Sequence, residues 1–329
     1  MRIGVFCSGG DAPGMNPCVR AVVRSTISAG HEAVGIYRGY HGLLNEDLFI
    51  NAQGTATMTA RSVSDLSKLG GTLLRSSRSK EFRTEEGQQK AADILRKHKI
   101  DALVPIGGDG TFHGAVDLMK YWDGLVVGCP GTIDNDLIGT DYTIGFATAV
   151  QTAVEALDKL RDTAESHERM FIVEVMGRHS GYIALYTALA GGAEVACLPE
   201  TPTDIPEIIA HLHKLKERGK KSIMIVVAEG DENGGGEKLQ ADLTAAECPF
   251  PTRVLTLGHL QRGGAPAPAD RILGTLLGDF AVQSIPKGHT GVMAGRVGGD
   301  LVLTPFAETF GQHKPVPESL VSVLNAMAH

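Results

Sequence analysis

The chain has 329 residues, 43% of them hydrophobic and 21% charged, which are ordinary values for a globular protein with a large buried core. Its formal net charge of −7 excludes non-specific affinity for a nucleic-acid backbone, which selects for a basic surface. The 41 glycines follow no period, which excludes collagen and low complexity; they gather in short clusters between apolar runs, as tight turns that approach a ligand require.

In chain order, the first predicted strand is 3–6, followed by Ser8-Gly9-Gly10-Asp11, and the second is 33–37. A helix over 88–99 leads to strand 102–106 and the cluster Gly107-Gly108-Asp109-Gly110-Thr111. Strand 125–129 runs into Pro130-Gly131-Thr132-Ile133-Asp134-Asn135-Asp136. The clearest helix is 149–164, with Val150, Ala153, Val154, Leu157 and Leu160 on one stripe. Strand 171–175, helix 204–218 and strands 222–228 and 254–257 complete the set, and the polar run 231–237 reads as an exposed loop without chemistry. The strands are continuously apolar and alternate with helices, which predicts a parallel, doubly wound α/β architecture with ligands beyond the carboxyl ends of the strands. There is no internal repeat, so a second domain is inferred from length and strand number. Cys7, Cys18, Cys129, Cys197 and Cys248 are scattered without CxxC spacing and read as packing residues, not as a disulfide framework or zinc site. The amino terminus is apolar too briefly for a signal peptide, and no apolar run nears the roughly 20 residues that span a bilayer. A cytosolic location is expected.

The cluster 107–111 follows a strand and opens a helix. Glycines there let backbone N–H groups approach phosphate oxygens, and the helix N-terminus favours the anion. Asp109 among phosphates needs an intervening cation, which Mg²⁺ supplies; the alternative is a tight turn with Asp109 as a cap. There is neither a GxxxxGK[ST] loop nor a GxGxxG fingerprint. Gly9 and its neighbours look like a second wall of the same phosphate site. In the turn 130–136, one of the two carboxylates, Asp134 and Asp136, can take the proton of an attacking hydroxyl while the other supports it; an Asx turn is the alternative.

Phosphoryl transfer also needs cations. Arg178 lies just past the carboxyl end of strand 171–175, placed to reach a phosphoryl group. Arg169 lies before the strand, and seven extended residues span over ~20 Å. If both contact substrate, Arg169 serves a neighbouring subunit. Arg253 repeats the arrangement before strand 254–257, with His259 and Arg262 after it beside Gly263-Gly264, a combination suited to a phosphate monoester. Glu229, ending strand 222–228, is placed to bond sugar hydroxyls.

Together these motifs resemble the bacterial 6-phosphofructokinase family. The match runs through SGGDAPGMN (8–16), GGDGT (107–111), PGTIDND (130–136), GTDYTIGF (139–146), SHERMFIVEVMGR (166–178) and LGHLQRGG (257–264), in one unbroken order to about residue 275. GGDGT alone is less specific, since NAD kinases and lipid kinases carry similar loops. The resemblance implies two doubly wound, Rossmann-like, three-layer α/β/α domains: an ATP-binding domain of residues 1–138 plus 258–305, and a fructose 6-phosphate-binding domain of 139–257 plus 306–329. It implies transfer of the ATP γ-phosphoryl group to the 1-hydroxyl of fructose 6-phosphate, in a homotetramer with shared sites. Carried onto matching positions, Asp134 is the general base and Asp136 its support. Thr132 and Arg178 steady the phosphoryl group, and Asp109 acts through Mg²⁺. Gly9, Tyr40, Arg78, Gly107, Gly108, Asp109, Gly110 and Thr111 bind ATP. Arg169 and Arg253 from a neighbouring subunit join His259 and Arg262 on the 6-phosphate, while Met176, Gly177 and Glu229 hold the sugar. Arg20, Arg24, Arg61, Arg161, Glu194 and Lys220 match the family's effector site, where ADP or phosphoenolpyruvate binds.

Pyrophosphate-dependent relatives carry Asp where Gly110 stands and Lys where Gly131 stands, so the two glycines favour ATP. The competing readings are a pyrophosphate-dependent enzyme and a catalytically idle nucleotide-binding regulatory paralogue. Intact Asp109, Asp134 and Arg178 argue against the latter.

Overall fold

Runs such as Ile-Gly-Val-Phe and Ala-Leu-Val-Pro-Ile have no polar face, so they are stable only as strands covered on both sides. In the computed structural model of the chain, which describes residues 1–312 and 314–328, they lie fully buried in parallel sheets. The first stretch contains β1 (Arg2–Cys7), α1 (Met15–Ser28), β2 (Glu32–Gly35), α2 (Gly39–Leu44), α3 (Glu85–Lys97), β3 (Ala102–Gly107), α4 (Asp109–Leu118), β4 (Leu125–Thr132) and β5 (Ile144–Gly145). The middle stretch contains α5 (Phe146–His167), β6 (Met170–Val175), α6 (Tyr182–Gly191), β7 (Val195–Cys197), α7 (Ile205–Glu217), β8 (Ile223–Ala228), α8 (Gly235–Ala245) and β9 (Thr252–Thr256). The last contains α9 (Pro268–Ser284), β10 (Val292–Val297), β11 (Asp300–Pro305), α10 (Phe306–Thr309) and α11 (Glu318–Met327).

The chain divides into two compact α/β units. The first holds Met1–Ile133, Leu137–Ala147 and the described residues from Arg262 to 312; its sheet runs β11-β10-β4-β3-β1-β2, with β5 on β4. All pairs are parallel except the β10–β11 hairpin. The second holds Asp134–Asp136, Thr148–Gln261 and the described residues from Lys314 on, around a parallel sheet of order β7-β8-β6-β9. In each sheet the strand order reverses at one point, between β1 and β3 in the first and between β6 and β9 in the second. Ligands of open α/β sheets bind beyond the carboxyl ends of the strands at such reversals.

The α/β class is as expected, but the boundaries move. Residues 139–147 sit in the first unit because β5 pairs with the end of β4 and the Gly145 N–H donates to Asp270 Oδ1 at 2.9 Å. Residues 306–312 do so too: Phe306 stacks on Phe112 with centroids 5.0 Å apart. Conversely, residues 134–136 and 258–261 belong to the second unit. Of the range 306–329 assigned to a sugar domain, positions 313 and 329 lie outside the described residues.

The run 231–237 is not a bare loop. Asp231 is buried and accepts the Thr203 hydroxyl at 2.9 Å, burial lifts its carboxyl above the usual range, and α8 begins at Gly235 with the Gly236 N–H on Glu174 Oε2 at 2.7 Å. Four cysteines are buried and Cys248 is half-buried. Burial pushes the Cys7 and Cys197 thiols up to about 12, and the Cys18 thiol, hydrogen-bonded with Cys129 and buried, is raised well above its ordinary value. Among the described residues no helix is long and apolar enough to cross a membrane.

Candidate active site

The first unit carries the glycine loops. β1 and β3 are neighbours, so Ser8–Gly14 and Gly107–Asp109 leave adjacent strand ends at the reversal. The Ser8 N–H bonds the Ile106 carbonyl at 3.0 Å, and the Thr111 hydroxyl returns to the Ser8 carbonyl at 3.2 Å, which locks the two loops together. A Cβ on Gly107 would lie 2.5 Å from the Ser8 carbonyl oxygen and 2.9 Å from Thr111 Cβ, so only glycine fits between them. Gly108 caps α4, and a Cβ there would lie 3.6 Å from Thr132 Cβ, so Thr132 flanks the helix start. Asp109 is exposed in the first turn and accepts the Gly110 N–H at 2.6 Å. No group of three or more His, Cys, Asp or Glu among the described residues could hold a metal by itself. A metal ion held by Asp109 would have to take most of its ligands from a bound substrate and water.

Tyr40 works from behind this wall. Its ring stacks on Phe82 at 3.9 Å, its hydroxyl donates to the Thr111 carbonyl at 2.7 Å, and only 5% of its surface is exposed. Arg78 is exposed on the segment that Ser76 ties to the Gly9 carbonyl at 2.6 Å. Asn16, which sequence reasoning passed over, braces the same wall. Its amide donates to the Leu69 and Gly70 carbonyls and accepts the Leu73 N–H at 2.7 Å. Arg262 also belongs here, with Nη1 3.1 Å from the Asp11 carbonyl and facing Gly10. It is thus held on the Ser8–Gly14 loop, whereas His259 is exposed in the second unit.

The second unit carries the carboxylates. Asp134 is 5% exposed, its Oδ2 3.9 Å from Arg178 Nε, while the Arg178 side chain is 46% exposed. Ser180 Oγ donates to the Asp134 carbonyl at 2.8 Å, and the Lys314 N–H donates to that of Asp136 at 3.2 Å, fixing both ends of the segment. Arg178 adopts φ 52, a left-handed conformation rare for arginine. Gly177 before it has φ 146, and a Cβ there would strike the Ser180 carbonyl. One oxygen of Glu229 accepts the N–H groups of Gly177 and Arg178 at 3.3 and 3.0 Å, while the residue itself is exposed at the end of β8.

Arg169 and Arg253 lie at the opposite edge. β6 and β9 are parallel with Phe171 opposite Arg253, so both arginines stand where the strands begin, while Met176–Arg178 and His259 follow where they end. The separation is about 20 Å at ~3.3 Å per residue.

The Phosphofructokinase family profile matches residues 2–285. The chain belongs to the phosphofructokinase family. ATP-dependent 6-phosphofructokinase 1 of Thermus thermophilus is 49% identical over 327 residues, covering 99% of this chain and 99% of that protein. The ATP-dependent 6-phosphofructokinase of Paenibacillus macquariensis is 50% identical over 313 residues, 95% of this chain and 94% of the other. The solved phosphofructokinase of Saccharomyces cerevisiae aligns with a TM-score of 0.82 at 33% identity, over 99% of this chain; the chain spans about half of that one, 47%.

For this phosphofructokinase-family chain, the six residues matched to an effector site fall into two groups. Arg20, Arg24 and Arg61 belong to the first unit, with the Arg24 guanidinium on the Ala60 carbonyl at 3.4 Å. Arg161, Glu194 and Lys220 belong to the second: Arg161 holds the Gly192 carbonyl at 2.6 Å, and buried Glu194 pairs with Lys220 and accepts the Met224 N–H at 2.7 Å. The two glycines expected to favour ATP also differ. A Cβ on Gly131 would meet Met15 Cε at 2.9 Å and Ile106 Cγ2 at 3.0 Å, so a side chain there requires those neighbours to shift. A Cβ on Gly110 would meet nothing within 4 Å.

Proposed function

We propose that the chain transfers the γ-phosphoryl group of ATP to the 1-hydroxyl of fructose 6-phosphate, giving fructose 1,6-bisphosphate. The observation that carries this is the nearly buried Asp134 carboxylate beside the Arg178 guanidinium, at the carboxyl end of β6. Asp134 takes the proton of the attacking hydroxyl, with Asp136 as its support, and Arg178 and Thr132 hold the equatorial oxygens of the transferring group. Gly9, Arg78 and Gly107–Thr111 bind the nucleotide in the first unit, with Tyr40 supporting the loop. Met176, Gly177, Glu229 and His259 hold the sugar phosphate in the second, joined by Arg262. Mg²⁺ held by Asp109 with phosphate oxygens would offset the charge of the triphosphate. Arg169 and Arg253, about 20 Å from Arg178 along the same strands, complete a neighbouring subunit's site in a homotetramer. The six effector positions bind ADP or phosphoenolpyruvate, and the protein is cytoplasmic.

The test is production of fructose 1,6-bisphosphate from ATP, Mg²⁺ and fructose 6-phosphate by the purified protein. No product, or a higher kcat/KM with pyrophosphate than with ATP, sinks the reading. ATP preference rests on Gly110 more than on Gly131, and the two substitutions separate these roles. Gly110→Asp should keep the melting temperature and lose roughly 10–100-fold in kcat/KM for ATP, because its side chain enters open space that the nucleotide needs. Gly131→Ala should cost about 1–3 kcal/mol of stability in thermal denaturation, through overpacking against Met15 and Ile106.

A further inference from the structure

Three successive amides follow the end of β6, those of Met176, Gly177 and Arg178. Glu229 takes the second and third. The first is taken by Gln261, whose Oε1 accepts the Met176 N–H at 2.8 Å. The other end of the same side chain donates through Nε2 to the Ala149 carbonyl, in the first turn of α5, at 3.4 Å. Gln261 is 0% exposed, and it lies on the short 3₁₀ turn Gly258–Arg262 that also carries His259. One buried amide thus joins the His259 turn, the Met176–Arg178 turn and the start of α5 at the point where the second sheet reverses its strand order.

We propose that Gln261 is a positioning residue that sets the sugar-phosphate grip by fixing the His259 turn and the Met176–Gly177 backbone relative to each other. This rests on the reading that His259, Met176 and Gly177 hold fructose 6-phosphate. The chemistry requires a glutamine. One end must accept an N–H and the other must donate to a carbonyl, and an ionised glutamate offers no donor. Without Gln261 the Met176 N–H and the Ala149 carbonyl both lose this partner, and the turn that follows is held by Glu229 alone.

Gln261→Met keeps the volume of the side chain and deletes both hydrogen bonds. It should raise KM for fructose 6-phosphate roughly 10–100-fold while leaving kcat and KM for ATP within about threefold of the unmodified enzyme. A KM for fructose 6-phosphate within about twofold of the original, or kcat and both KM values changing together, overturns the proposal. Turnover of fructose 6-phosphate by the unmodified protein in the same assay tests the underlying reading separately. If the variant does not fold, hydrogen exchange on the unmodified protein decides: the Met176 amide should exchange slowly, and fast exchange refutes the bond.

Discussion

Asp134→Asn is expected to lower kcat about 10³-fold while leaving KM for fructose 6-phosphate nearly unchanged. The amide matches the carboxylate in shape and cannot take a proton from the attacking hydroxyl. The segment itself should hold, because Ser180 bonds the main-chain carbonyl of residue 134 and not its side chain. Steady-state kinetics with a calorimetric titration of fructose 6-phosphate separate the two quantities. Loss of binding with kcat preserved would move the base elsewhere, and Asp136 would be the next residue to replace.

Arg169→Ala and Arg253→Ala are each expected to raise KM for fructose 6-phosphate roughly 10–100-fold, since losing hydrogen bonds to a charged phosphate costs about 1.5–3 kcal/mol. The more telling experiment mixes two defective proteins. Both arginines lie at the start of β6 and β9, away from Asp134 and Arg178. If they serve a neighbour, dissociating and reassembling Arg169→Ala with Asp134→Asn builds some sites that hold both an intact Asp134 and an intact Arg169. Activity should rise above that of either variant alone. A mixture no more active than its components would show that each site is complete within one chain.

The fold was legible where physics acts locally. The apolar runs 102–106, 125–129 and 171–175 became β3, β4 and β6, because short, continuously apolar runs suit parallel strands covered on both faces. Asp204, at the start of the expected helix 204–218, caps the helix and does not lie inside it, its carboxylate taking the Glu207 N–H at 2.9 Å. The hairpin β10–β11 was missed although its signal was present: Gly298 and Gly299, with φ 61 and 99, form the two-residue turn that twisted antiparallel strands prefer. Three-residue β7 and two-residue β5 were not legible, since register with β8 and β4 defines them and their own residues do not.

The site shows the same division. The strings around Asp109, Asp134 and Arg178 name their chemistry by residue type. What sequence could not show is direction. Gly110 opens outward and Gly131 inward, and Arg262 turns to the Asp11 carbonyl. Gln261 was inside a quoted motif without a role, because a buried amide is recognised only by its partners.

The distribution of the thiols has a practical consequence. Cys7, Cys18 and Cys197 are buried and held protonated, Cys129 is buried with them, and Cys248 alone reaches solvent, in the loop between α8 and β9. Because the thiolate is the nucleophile, a maleimide dye at neutral pH should attach to the native protein once per chain, at Cys248. The unaltered sequence thus offers a single fluorescent reporter on the unit that carries the carboxylates, and intact-mass spectrometry would show whether one adduct forms or more.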